Sequence, residues 1–147
     1  MAERASSKST GLSMRKEDLS SSEAAMRYWA VMSYQNLGKE YPDREPLVRA
    51  LKDTSAPVRI AAARALGEFG SEADTQAALA LLLAHADWSK HDVFTAMAAL
   101  DALTALGQKA APIAAQIKAL PTKGPAPDAR YKEYIPRMLE ELRARFP

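Results

Sequence analysis

Between Asp53 and Gly70 the residues Val58, Ala61, Ala62, Ala65, Leu66 and Phe69 recur at i, i+3, i+4, i+7, i+8 and i+11. That spacing lays one apolar stripe along a helix of about three turns. Both ends carry signals of their own. Thr54 or Ser55 can accept the first free backbone N–H groups, Pro57 fits a first turn that needs no amide donor, and Gly70 can take the left-handed conformation that closes a helix. Alanine lines most of the stripe, so another helix must approach closely to fill it.

The same pattern flanks this segment. Thirty-two residues earlier, Met26-Arg27 stands for Val58-Arg59, Ala30 for Ala62, Leu37 for Phe69 and Gly38 for Gly70. Val93 to Gly107 repeats the alanine-rich stripe and the terminal glycine with a shift of two or three residues. A period of about 32 to 37 residues predicts stacked helical hairpins, since one hairpin cannot bury its apolar face alone.

The remaining elements follow from caps and breakers. Ser20, Ser21 or Ser22 can cap a helix to Leu37 whose stripe is Met26, Trp29, Ala30, Ser33, Tyr34 and Leu37, with Trp29 as its anchor. After a turn through Gly38, Tyr41 and Pro42, Asp43 can cap a helix over 44–52 that buries Leu47, Ala50 and Leu51. Ser71 or Asp74 opens a helix with Leu79, Leu82 and Leu83 that ends near His85, and Asp92 caps the helix that Gly107 stops. Pro112 is expected to open a short helix with Ile113, Ile117 and Leu120, residues 121–127 read as a plain linker, and a last helix to about Arg145 buries Ile135, Met138, Leu139, Leu142 and Phe146. Pro136 is tolerated there only in the first turn. Residues 1–21 are polar and serine-rich, a flexible lead-in with at most a short helix, and 22–147 form the repeat domain. The first full helix corresponds to the second helix of a hairpin. Its partner is missing or reduced to residues 12–19, so the chain reads as the end of something longer.

Ala and Leu dominate the apolar residues, which favours an all-α fold. The formal charge of +2, from 20 basic and 18 acidic residues, supplies no extended field for a polyanion, so nucleic acid is an unfavoured partner. Without cysteine there is no disulfide, thiolate metal site or cysteine nucleophile. No run is long enough to span a membrane, and the first residues lack the apolar segment of a signal peptide.

The spacing Asp53, Val58-Arg59, Leu66 resembles the HEAT repeat, which implies a short right-handed α-solenoid of HEAT-like hairpins. In that repeat the aspartate ends the inter-helix turn and the arginine reaches back toward it. Met-Arg-Tyr-Trp-Ala-Val-Met at 26–32, Val-Arg-Ile-Ala-Ala-Ala-Arg-Ala-Leu-Gly at 58–67 and Ala-Leu-Asp-Ala-Leu at 99–103 are similar to the HEAT-like tail that follows the catalytic domain of many bacterial arylsulfatase-type sulfatases. So are Gly107-Gln-Lys-Ala-Ala-Pro112 and Glu133-Tyr-Ile-Pro-Arg-Met-Leu-Glu140. The resemblance implies a non-catalytic domain without a cofactor that packs against a catalytic neighbour, with Asp53, Val58, Arg59, Leu66, Arg27 and Trp29 as repeat positions. A complete chain would then be cytoplasmic, and the tail of a secreted sulfatase periplasmic or extracellular. The third repeat departs from the pattern, with Val93-Phe94 where Val-Arg is expected, which leaves Asp87 without an arginine.

Three features could carry chemistry. Ser55-Ala-Pro-Val-Arg59 matches Ser-x-Pro-x-Arg, the pattern around the serine that becomes formylglycine in some sulfatases. Here the serine sits at a helix cap without the carboxylates and cation that chemistry requires. His85, Asp87, His91 and Asp92 could supply four metal ligands, but their spacing suits loop and capping roles better. Arg27, Arg59, Arg64, Arg49 and Lys52 could form a basic ridge, and an ion-pair ladder with Asp53, Glu45 and Glu68 accounts for most of them. Tyr28, Trp29 and Tyr34 read as core and edge packing before a ligand cage. Arg49, Arg64, Tyr28 and Tyr34 are therefore the candidate interaction surface, facing a catalytic domain or, in a free-standing adaptor, another protein. A DNA-binding HEAT protein of the alkyl-base glycosylase kind would need a strongly basic concave face, which this charge balance opposes.

Overall fold

The computed structural model describes residues 16–38 and 43–147. The expectations for Leu12 and Met14 and for the turn at Tyr41 and Pro42 lie outside the described residues. Among the described residues seven α-helices follow in order: α1 (Ala24–Leu37), α2 (Glu45–Ala50), α3 (Ala56–Phe69), α4 (Glu72–His85), α5 (Val93–Leu106), α6 (Ala114–Ala119) and α7 (Tyr134–Ala144). Short 3-10 segments cover Lys16–Ser20, Gly107–Ile113 and Ala129–Glu133, and no strand occurs among the described residues. The all-α reading holds.

Helices α1, α3, α5 and α7 touch in succession and form one layer, while α2, α4 and α6 pack on α3, on α3 and α5, and on α7. The pairs α2/α3, α4/α5 and α6/α7 thus stack as hairpins. Helix α1 stands ahead of them as a second-type helix, preceded only by the 3-10 segment Lys16–Ser20 among the described residues. Helix α3 sits between two cores. Val58, Ala61, Ala62, Ala65 and Leu66 face Val31, Tyr34, Leu47 and Ala50, and Ile60 and Ala63 join the larger core built by α4, α5, α6 and α7. Small side chains permit this two-sided burial. A Cβ on Gly67 would meet both Leu106 methyls at 2.8 Å, so α5 packs directly on the α3 backbone.

The caps correct several expectations. Ser55 occupies the N-cap of α3 but makes no side-chain cap; Asp53 Oδ1 accepts the Ser55 N–H at 2.8 Å instead. Glu23, not one of the three serines, holds the N-cap of α1, and its own N–H donates to Ser21 Oγ at 3.2 Å. Ser71 and Asp74 together form a full capping box on α4, and Asp92 accepts the Phe94 and Thr95 N–H groups at the start of α5. Gly107 closes α5 at φ 56, the left-handed region that favours glycine. Gly70 does not: its φ is −77 and its ψ −175. Glycine is needed there because a Cβ would run into the Leu66 carbonyl oxygen and Asp74 Cβ.

The C-terminal part also differs from expectation. Pro112 lies inside the 3-10 segment Gly107–Ile113, and α6 starts only at Ala114, because a proline supplies no donor and restrains the residue before it. Residues 121–127 are no plain linker. Trp88 donates its indole N–H to the Pro125 carbonyl at 2.7 Å, and Gly124 lies so close to Trp88 that a Cβ would sit 2.5 Å from Cγ. Pro136 falls in the first turn of α7, as its chemistry requires. Helices α1, α3 and α5 end at Leu37, Phe69 and Leu106, so the spacing changes from 32 to 37 residues. The third repeat is displaced by five residues, more than the two or three expected.

Candidate interaction surface

An arginine ladder joins the repeats. Arg27 Nη1 donates to the Ser21 and Ser22 carbonyls at 2.9 and 3.1 Å, and Arg59 Nη1 to the Asp53 and Thr54 carbonyls at 2.7 and 3.1 Å. Each guanidinium thereby closes the turn before its own helix. Its other N–H groups reach the next turn. Arg27 Nε and Nη2 grip the Asp53 carboxylate at 2.7 and 2.9 Å, a two-point charge-assisted pair. This hydrogen bond, and after it the Ser55 N–H and the nearby charges of Arg27 and Arg59, outweigh burial and hold Asp53 below the ordinary carboxylate range. Arg59 itself reaches back to Asp53, through the main-chain carbonyl at 2.7 Å. The carboxylate belongs to Arg27 from the preceding repeat.

One period on, the place of Asp53 is taken by His85, whose Nε2 lies 3.0 Å from Arg59 Nη2 and 3.3 Å from Nε. His91 stacks on His85 with centroids 4.9 Å apart and planes 11° from parallel. Asp87 turns to Ser89 and to Lys90, 2.9 Å away, and so finds a cation locally where an arginine was expected. The Ser89 hydroxyl, then Lys90, keep it below its usual range. Burial works against the charge of Asp92, but the hydrogen bonds from Thr95 and Phe94 prevail and hold it low. The two carboxylates therefore serve separate local tasks while the imidazoles stack on each other, and among the described residues no group of three or more His, Asp or Glu side chains is arranged to hold a metal ion.

The remaining cations are largely spoken for. Arg64 pairs with Glu68 at 3.0 Å and Asp101 at 3.2 Å, Arg44 with Asp74 at 2.6 Å, and Lys109 caps the end of α3 through the Gly67 and Glu68 carbonyls. Among the described residues Glu45 joins no ion pair, and so is no rung of the expected ladder. Arg49 is exposed beside a small cleft lined by Leu19, Pro46 and Asp53.

The surface that stands open lies along α1 and across α3. Val58 and Leu66 are core residues, but Trp29 is 59% exposed, with Leu37 at 51% and Met26 at 37%. Trp29 is thus no core anchor. The side of α1 that packs is Ala30, Val31 and Tyr34, so Tyr34 also leaves the candidate surface for the core. Tyr28 lies edge-on to Trp29 at 5.7 Å and forms the rim of a groove of about 270 Å³. Met32 and Gln35 of α1, Pro57, Ile60, Ala61 and Arg64 of α3, and Ala98, Asp101 and Ala102 of α5 line it. The dip exists because α3 and α5 present alanines between the longer side chains of α1 and the Arg64–Asp101 pair. Gln35 keeps a buried side-chain oxygen without a hydrogen-bond partner.

Sequence reasoning missed the burial of Trp88, the contact of His85 with Arg59 and the Arg44–Asp74 pair. For His85 a signal existed, since it lies thirty-two residues after Asp53 and His91 the same distance after Arg59. Trp88 offered none, being isolated among polar loop residues. Among the described residues no helix is long and apolar enough to cross a membrane.

No curated protein and no solved structure matches the chain. A family model described as HEAT repeats matches residues 15–100, a span that holds the turns closed by Arg27 and Arg59 and the helices they precede. Helical pairs stacked at this period, turns closed by an arginine from the following helix and that match agree, and the chain belongs to the HEAT repeat family.

Proposed function

We propose that this chain is a non-catalytic HEAT-repeat module that packs against and orients a catalytic domain, as the tail of a bacterial arylsulfatase-type sulfatase would. HEAT repeats commonly serve protein interaction and are generally non-catalytic. The observation that carries the reading is the apolar stripe of Met26, Trp29 and Leu37, exposed on the first helix of the layer. In α3 and α5 both sides of the helix are covered by neighbours; on α1 this side remains available to another apolar surface. Ser55 belongs to a helix start and is surrounded by the Asp53 turn, which suits structure and not hydrolysis. The test is binding of the chain to a purified arylsulfatase-type catalytic domain, with Trp29→Glu alongside. Binding that weakens at least tenfold in the variant, at unchanged helicity and melting, is expected. Equal binding by parent and variant, or turnover of an aryl sulfate by the chain alone that vanishes in Ser55→Ala, would overturn it.

A second reading, an adaptor that holds a partner peptide, is favoured by the groove over α3 and by the unpaired Gln35 oxygen. Arg64→Glu separates the two, since it alters the groove and leaves the Trp29 stripe intact.

A further inference from the structure

We propose that the joint between the α2/α3 and α4/α5 hairpins is a pH-sensitive coupling, in which protonation of the His85 imidazole releases Arg59 and loosens the end of α4 and the 86–92 loop from α3. The argument begins with the tautomer. His85 Nδ1 lies 2.9 Å from the Leu81 carbonyl oxygen, which can only accept, so Nδ1 carries the proton. Nε2 of the neutral ring therefore presents a lone pair, and Arg59 directs Nη2–H and Nε–H toward it at 3.0 and 3.3 Å. Arginine has donors only and stays charged. The contact exists while His85 is neutral. A proton on Nε2 would turn the acceptor into a donor and set a cation against the guanidinium.

The preceding joint differs in one respect. There the guanidinium of Arg27 meets Asp53, a carboxylate whose pKa the Arg27 hydrogen bond lowers. At the second joint an imidazole fills the same place, and imidazole titrates in the mildly acidic range. The surroundings offer the extra charge no relief. Arg59 faces the ring from α3, and His91 stacks on it from the loop. The nearby carboxylates are committed elsewhere: Asp87 to Ser89 and Lys90, Asp92 to the start of α5, Asp53 to Arg27. Burial first, then the charges of Arg59 and His91, push the His85 pKa down, and the Leu81 bond opposes them only in part. With the folded value depressed, the contribution is fully present above the unfolded value of about 6.5 and is lost as the pH falls from there through the folded value.

Only two histidines occur in the chain, and both belong to this joint. An imidazole NMR titration of the full chain therefore contains two curves, and one is expected to show the Nδ1–H tautomer and a midpoint below the ordinary histidine range. Urea unfolding of the parent from pH 8 to 5 should show its folding constant dropping about tenfold for each unit by which His85 is depressed. His85→Gln, which retains an acceptor but does not titrate, should remove most of that drop, and hydrogen exchange in 81–92 of the parent should accelerate at pH 5 beyond the intrinsic effect. A pH-independent folding constant, a drop that persists in His85→Gln, or a drop abolished by His91→Gln alone would overturn the proposal. Should His85→Gln fail to fold, the titration of the parent decides: a His85 midpoint at or above the ordinary value refutes it.

Discussion

Trp88→Ala removes the largest fully buried side chain of the protein from a site where it is 1% exposed. The indole lies in the larger core with Val93, Ile117, Leu120, Ile135 and Leu139, and its N–H holds the Pro125 carbonyl at 2.7 Å. Two terms contribute. Truncating a buried tryptophan to alanine costs roughly 3–5 kcal/mol in lost transfer energy and residual cavity. The hydrogen bond adds about 1 kcal/mol at most, because Pro125 is exposed and water can replace the donor. Against a total stability on the order of 5–15 kcal/mol this is a large fraction, and at roughly 2–4 °C per kcal/mol the melting temperature should fall by about 6–24 °C. Trp88→Phe retains most of the ring volume and should lose about 1–2 kcal/mol. Urea and thermal unfolding followed by circular dichroism measure both. Fluorescence adds an independent check, because the chain has two tryptophans. In Trp29→Phe the remaining Trp88 should emit at short wavelength and resist acrylamide until the protein unfolds. In Trp88→Phe the remaining Trp29, 59% exposed, should emit at long wavelength and be quenched at once. Loss of less than about 1 kcal/mol in Trp88→Ala, or equal quenching of the two indoles, would refute the placement of Trp88 in the core.

Gly70→Ala separates two explanations of that glycine: with φ −77 and ψ −175 the backbone alone would accept alanine and gain about 0.4–1 kcal/mol, whereas the contacts with the Leu66 carbonyl and Asp74 predict a loss of about 1–3 kcal/mol. A urea midpoint above the parent's would rule the contacts out. Asp53, held low chiefly by Arg27, stabilises the fold above the unfolded carboxylate value, and that contribution is lost as the pH falls through the folded value. Asp53→Asn should therefore lower stability at pH 7 and flatten the acid limb below about pH 4, and an unchanged limb would remove Asp53 from the ladder.

The parts legible in the sequence were those in which one local signal decides the outcome. The α3 stripe, the Ser71/Asp74 and Asp92 caps, the stop of α5 at Gly107 and Pro136 in a first turn each follow from a few adjacent residues. Helix α1 shows where such reasoning stops. Its sequence carries apolar residues on two sides, Ala30, Val31 and Tyr34 on one and Met26, Trp29 and Leu37 on the other, and periodicity cannot say which side has a neighbour. The expected stripe took members from both, and of it Ala30 and Tyr34 are buried while Met26, Trp29 and Leu37 are exposed. The groove over α3 was equally hidden, because it arises from the small side chains of α3 and α5 between larger ones on separate helices, a relation no single segment contains.

The loss of the arginine at the third repeat has a physical consequence in the turn before α5. Arg27 and Arg59 each close the turn six and five residues before them by donating to two main-chain carbonyls. His91, at the next corresponding position, has a shorter side chain with two ring nitrogens and stacks on His85 instead. The turn before α5 must then satisfy its backbone by other means, and it does so through Asp92 on the Phe94 and Thr95 N–H groups and Asp87 on the Ser89 N–H. The 37-residue spacing from α3 to α5 exceeds the 32-residue spacing from α1 to α3, and part of the excess lies in this loop, 86–92, which is two residues longer than the loop 51–55 before α3. The longer loop carries Trp88 into the core, where it fastens residues 121–127 against the last hairpin. What the third repeat loses as an inter-repeat ion pair it recovers as buried aromatic surface, and the joint at His85 is left as the place where the stack depends on a neutral imidazole.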